Sequence, residues 1–167
     1  MTTRPARKRK KAKRPALVID RSLPAPAIVC ARADGVESFA AGSAVAAGHA
    51  CAGYVPNTQK LQPGNLPTPT DYPLQAVKWN VRASQANLII TADVQLFGRA
   101  RAAREYAERW SKPWLQVWPS TFDATRLREW LRTHAIRVLH VTGPASYQAP
   151  AIEAFVTAVM GEVWAAG

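Results

Sequence analysis

Ala86-Asn87-Leu88-Ile89-Ile90-Thr91 decides the fold of this chain, read with Tyr72-Pro73-Leu74 and Trp79-Asn80-Val81-Arg82 before it and Gly98-Arg99 after it. Leu88 to Ile90 is an apolar run too short for a helix and bounded by small polar residues, the pattern of a strand covered on both faces. Asp93 to Phe97 reads as a loop. Gly98 to Trp110 then reads as a basic helix with Ala103, Tyr106, Ala107 and Trp110 on one side. Strand, loop, helix and strand make a βαβ unit, and in sheets built from such units ligands sit where strands end and helices begin.

The same unit recurs on either side. Ala27 to Ala31 predicts a strand, Arg32-Ala33-Asp34-Gly35 its exit loop, and Glu37 to Ala47 an alanine-rich helix stopped by Gly48. His49 to Val55 predicts a second strand, ended by Pro56. Residues 56–73 hold Pro56, Pro63, Gly64, Pro67, Pro69 and Pro73 and read as a loop, serving as a lid or an oligomer contact. Leu74, Val77 and Val81 recur at helical spacing, predicting a helix over 74–85 that carries Trp79, Asn80 and Arg82 toward the central strand.

Pro113 to Trp118 predicts a strand with Trp114 and Trp118 on one face, suited to core or subunit contact, and Leu115 and Val117 on the other. Asp123 or Ser120 can cap a helix whose Leu127, Trp130, Leu131 and His134 form one stripe. Val138 to Val141 predicts a further strand with Thr142-Gly143-Pro144 as its exit turn. Pro150 then suits the first turn of a helix carrying Ile152, Phe155, Val156, Val159 and Val163. The expected fold is α/β and Rossmann-like, a doubly wound parallel sheet of about five strands with helices on both faces. The loops at Asp34-Gly35, Thr91 to Arg99 and Thr142-Gly143 then gather at one sheet edge and outline a cleft.

Charge divides the chain. Of 22 basic side chains, eight (Arg4, Arg7, Lys8, Arg9, Lys10, Lys11, Lys13 and Arg14) precede residue 15 with no acid among them, and the remaining 14 face 11 acids. Residues 1–16 therefore read as a disordered basic tail, 17–26 as a linker, and 27–167 as one domain. Such a tail is either a solubilising arm or a contact for nucleic acid or an anionic membrane face through phosphates. No apolar run approaches the roughly 18 residues of a membrane span, and the N-terminus has no signal-peptide pattern, so a cytoplasmic protein is expected. Cys30 and Cys51 fit no metal spacing or disulfide framework and read as buried free thiols.

Familiar catalytic patterns are missing. His49, His134 and His140 have no metal-ligand spacing, and Ser38, Ser43 and Ser84 lack evident His and acid partners. Asp34 and Glu37 open a helix, where acids are favoured without any chemistry. Asp93 remains a candidate polar group for the cleft.

Four passages carry a resemblance to a known family. They are Tyr72-Pro73-Leu74-Gln75, Trp79 to Ile90, Lys112 to Val117, and Ile136 to Pro144 with Ala149-Pro150. Over roughly residues 26–165 the chain resembles the proteins known as putative molybdenum carriers, Rossmann-like relatives of the LOG, or lysine-decarboxylase-like, nucleotide-binding group. It departs from that pattern in its glycine-rich loops. The family's Ser-Gly-Gly-Gln-Thr-Gly turn, whose backbone N–H groups can cradle an anion, stands here as Cys30 to Ser38 and keeps only Gly35 and the acid Glu37. The second such loop has become Phe97-Gly98-Arg99, in which Arg99 offers a charge in place of lost donors.

The resemblance implies a non-catalytic binding protein and a homo-oligomer. The cargo it implies is an anionic small molecule, whether molybdenum cofactor, oxyanion or nucleotide, held through Gly35, Asn80, Arg82, Gly98, Arg99, Thr142 and Gly143. An alternative reading makes it a nucleic-acid-associated protein acting through Arg7, Lys8, Arg9, Lys10, Lys11, Lys13 and Arg14 on a degenerate scaffold. A third, resting on the LOG relatives, is nucleotide hydrolysis.

Overall fold

The computed structural model describes residues 13–167; Arg4 and the tail residues Arg7, Lys8, Arg9, Lys10 and Lys11 lie outside that range. Six strands form one sheet: β1 (Ala27–Val29), β2 (Cys51–Val55), β3 (Asn65–Pro67), β4 (Ala86–Ile90), β5 (Trp114–Val117) and β6 (Val138–Thr142). Their spatial order is β3-β2-β1-β6-β4-β5, and every pairing is parallel. Among the described residues five α-helices accompany them: α1 (Val36–Ala46), α2 (Pro73–Ala83), α3 (Gly98–Arg109), α4 (Ala124–Thr133) and α5 (Ile152–Ala165). This is the Rossmann-like α/β architecture that the alternation of patterns implies.

Why β4 is central follows from its side chains. All five of its residues are buried. Leu88 and Ile90 join Ile28, Leu139 and Val141 under α1, α4 and α5, whereas Ile89 packs with Val77, Val81, Ala103 and Ala107 of α2 and α3. Alternating sides of an apolar run thus feed two separate cores. Each fully buried Leu or Ile contributes on the order of 1.5–3 kcal/mol, so this strand alone anchors both helix layers. Alanines let α1 lie close to the sheet: Ala40, Ala41 and Ala44 are buried together with Val36. Asp123 caps α4, accepting from Thr125 N at 2.9 Å and Arg126 N at 3.2 Å.

One expectation needs correction. The proline-rich stretch 56–73 is not loop throughout, because Asn65–Pro67 adds a sixth strand at the sheet edge beside Gly53 to Val55. Gly64, with φ of 84° and a backbone carbonyl 2.5 Å from where a Cβ would stand, turns the chain into that strand. Pro67 is tolerated there because an edge strand can spare an N–H.

Two other placements differ in detail. Cys30 is buried but Cys51 only half-buried. Trp114 and Trp118 are half-buried, and Leu115 and Val117 pack under α1, α4 and α5 on the opposite face of β5. Among the described residues, no helix is long and apolar enough to cross a membrane.

Candidate functional site

The strand order brings the ends of β1, β6 and β4 side by side, and their exit loops meet. Gly35 has φ of 95°, and a Cβ there would stand 2.3 Å from Pro144 O. Gly143 is equally constrained, with Ile90 O 2.1 Å and Val36 Cγ2 2.6 Å from its missing Cβ. These glycines serve close backbone approach between loops, which no larger residue permits. Val36 N donates to Pro144 O at 3.2 Å, and Ser146 donates through both N and Oγ to Asp34 Oδ2. That bond to Ser146 is the main reason the Asp34 carboxyl sits below its usual range. The N-terminus of α1, where the resemblance places an anion cradle, is thus covered by the protein's own β6 exit loop.

Arg99 joins the three loops. It lies in the first turn of α3, and its Nη2 donates to Asp34 O at 3.1 Å and to Gly143 O at 3.4 Å. Its Nε stands 3.6 Å from Glu37 Oε2; the arginine side chain keeps 20% exposure and the glutamate none. Glu37 Oε1 accepts from Ala31 N at 3.3 Å. Thr142 Oγ1 lies against the carboxylate, yet both it and Glu37 Oε2 lack a partner in hydrogen-bond geometry. Burial raises the Glu37 carboxyl above its ordinary value, opposed by Arg99, the backbone N–H groups and Thr142.

A cleft of about 120 Å³ opens at the first turn of α3, lined by Thr91, Asp93, Gln95, Phe97, Ala100 and Pro144 among others, with Arg99 outside its lining. It falls between the exits of β4 and β6, at the sheet's change of winding direction, where ligands of such folds bind. Its floor is fixed from β5: Gln116 Nε2 donates to Thr91 Oγ1 at 3.0 Å and to the carbonyls of Asp93 and Val94 at 3.3 Å each. Gly98 begins α3 with φ of 54° and open space around it, leaving that helix N-terminus uncrowded.

Of the residues assigned to the site from sequence, Gly35, Gly98, Arg99, Thr142 and Gly143 come together. Asn80 and Arg82 do not. Asn80 is wholly buried and clamps the backbone of β2, accepting from Tyr54 N at 2.7 Å and donating to Tyr54 O at 3.0 Å. Arg82 lies in the last turn of α2, at the opposite sheet edge, with its guanidinium 5.3 Å from the Trp110 ring centre.

Asp93 does line the cleft. The pairing of Glu37 with Arg99 and the anchoring by Gln116 were not foreseen; an acid in the first turn of α1 was the available hint. His140 is buried with Nδ1 2.9 Å from Asn87 Oδ1, and His49 stacks on Trp164. No cluster of three or more His, Cys, Asp or Glu suited to a metal ion occurs among the described residues.

Comparison with known proteins gives two matches. The family described as circularly permutated YpsA SLOG matches residues 28–164. A 1.45 Å crystal structure described as a putative molybdenum carrier protein from Syntrophus aciditrophicus superposes with a TM-score of 0.76 at 25% sequence identity. That likeness covers 85% of this chain and 96% of the other. No curated protein sequence matches.

Proposed function

The chain belongs to the circularly permutated YpsA SLOG family, and on that premise we propose that it is a non-catalytic carrier of a small anion. The anion binds between the exits of β4 and β6. Arg99 is the observation that carries this reading: a partly exposed guanidinium, held by two loop carbonyls and 3.6 Å from the buried Glu37 carboxylate, where three strand exits converge next to the cleft. Helix α3 adds the partial positive charge of its N-terminus, and Gly98 keeps backbone N–H groups approachable. Gly35 and Gly143 let the β1 and β6 exit loops pack together, and the buried Thr142 lies against Glu37 behind Arg99.

Size selects among the ligands. At about 120 Å³ the cleft is well below the roughly 300–1,000 Å³ of a drug-sized pocket, which favours a tetrahedral oxyanion over a nucleotide or a pterin cofactor. The description of the Syntrophus aciditrophicus protein as a putative molybdenum carrier protein supports molybdate as cargo.

Thermal unfolding of the full chain against molybdate, tungstate, phosphate, sulfate and AMP tests this. A ligand at about 100 times its dissociation constant stabilises the folded state by roughly 2.7 kcal/mol. The expected result is an upward shift in Tm with an oxyanion, lost in Arg99→Ala. Absence of a shift with every anion, or a shift that Arg99→Ala leaves unchanged, rejects the assignment.

A further inference from the structure

A second cationic surface lies at the opposite edge of the sheet. Helices α2 and α3 pack side by side and both end there. Arg82 lies over Trp110 at 5.3 Å, Trp110 stacks with Tyr106 at 5.4 Å, and Arg109 lies over Tyr106 at 5.6 Å. Arg82 and Arg109 are exposed, and neither has a carboxylate within ion-pairing distance among the described residues. Arg101 and Arg104, earlier on α3, are by contrast paired with Glu105 and Glu108.

A basic residue at one helix C-terminus is explained by the helix dipole alone. The docking of Arg14 is not. Arg14 donates to Trp79 O at 3.4 Å and sits 5.8 Å over the Tyr54 ring, bringing a third cation to the same face. Lys112 adds a fourth charge, with its ammonium on the carbonyls of Val81 and Arg82 at 2.9 Å. The charges of Arg14 and Arg82 both reach Lys112, with burial the largest influence lowering its pKa. Gathering like charges in this way costs folding energy that a bound anion would lower. The chain reaches Arg14 directly from Arg4, Arg7, Lys8, Arg9, Lys10, Lys11 and Lys13.

We propose that the adjoining C-terminal ends of α2 and α3, with Arg82, Arg109 and the docked Arg14, bind the phosphate backbone of a nucleic acid. Side chains stacked on Trp110 and Tyr106 occupy the aromatic faces, so the surface reads phosphates and not bases. An anionic membrane fits less well, since the exposed large apolar residues (Val18, Leu23, Val45, Leu61, Tyr72, Val94, Phe97 and Tyr147) include none from these helix ends.

The test is fluorescence anisotropy of the full chain with a labelled DNA duplex of about 25 base pairs over a salt series. Arg82→Glu/Arg109→Glu is expected to weaken binding at least about tenfold and to reduce the salt slope by about 1.8, the loss of two phosphate contacts. Arg82→Lys/Arg109→Lys, which keeps the charge, should bind within about threefold of the parent and guards against a folding defect. Arg126→Glu/Arg132→Glu on α4 should leave binding near the parent value. The proposal is overturned by an absence of DNA binding, by equal losses in the α4 variant, or by full binding in Arg82→Glu/Arg109→Glu. It is also overturned if the patch variant loses only sedimentation with phosphatidylserine vesicles.

Discussion

Arg99 of α3 and Glu37 of α1 face each other with 3.6 Å between Nε and Oε2, and theirs is the one ion pair among the described residues whose carboxylate is fully buried. The arginine answers a charge that its surroundings resist. Burial raises the Glu37 pKa, so the folded state holds its proton more tightly than the unfolded chain does. Stability from this group is complete below the ordinary value of 4.5 and is lost as pH rises through the folded-state value. Glu37→Gln should therefore flatten the dependence of Tm on pH above 4.5. An unchanged profile, measured by calorimetry from pH 4 upward, would place the carboxylate in a wetter setting than its neighbours imply.

His140 acts in the reverse sense. Burial, with a smaller contribution from Lys112, lowers its pKa to about 3. It contributes stability that is complete above the ordinary value of 6.5 and lost as pH falls toward 3. With Asn87 Oδ1 as acceptor, the proton belongs on Nδ1. Nitrogen NMR should show a neutral Nδ1–H imidazole at pH 5, and an imidazolium signal at that pH would contradict the packing.

Asn80→Ala should cost about 2–4 kcal/mol, since it leaves the N–H and C=O of Tyr54 unpaired in the core. Its oxyanion-induced Tm shift should match the parent's. Denaturant unfolding separates this role from a ligand contact: intact stability with lost oxyanion response would return Asn80 to the site.

Glycine substitutions should split by sign. Gly35→Ala and Gly143→Ala meet backbone oxygens at 2.3 and 2.1 Å and should destabilise by about 3 kcal/mol or more. Gly42→Ala and Gly161→Ala lie in helices with nothing near the added methyl and should gain about 0.5–1 kcal/mol. Urea midpoints of the four variants check the ordering.

The order of elements was legible because apolar spacing records which residues face a core. Leu88 to Ile90, the stripe through Val77 and Val81, and the Asp123 cap all act locally. β3 escaped notice because a three-residue edge strand ending in Pro67 carries no periodicity. Arg82 was assigned to the cleft because it precedes β4 closely in sequence, yet α2 runs back along the sheet and delivers it to the far edge. Gly98 and Arg99 were identifiable as a helix opening beside a strand exit. The Glu37 partner of Arg99, the Ser146 partner of Asp34 and the Gln116 bonds to Thr91 and Val94 depend on which strands are neighbours, and spacing along the chain does not encode that.

The sixth strand of the chain is the fourth of the sheet. Until residues 138–142 leave the ribosome, β1 and β4 have no shared neighbour, and the nascent chain can form only two unjoined fragments, β3-β2-β1 and β4-β5. Each fragment presents a bare hydrogen-bonding edge, the kind that recruits other chains. Insertion of β6 closes both edges in one late, long-range event, the class of step that sets slow folding rates. Biosynthesis thus has a window between emergence of β4 and emergence of β6 in which a holding chaperone has something definite to shield.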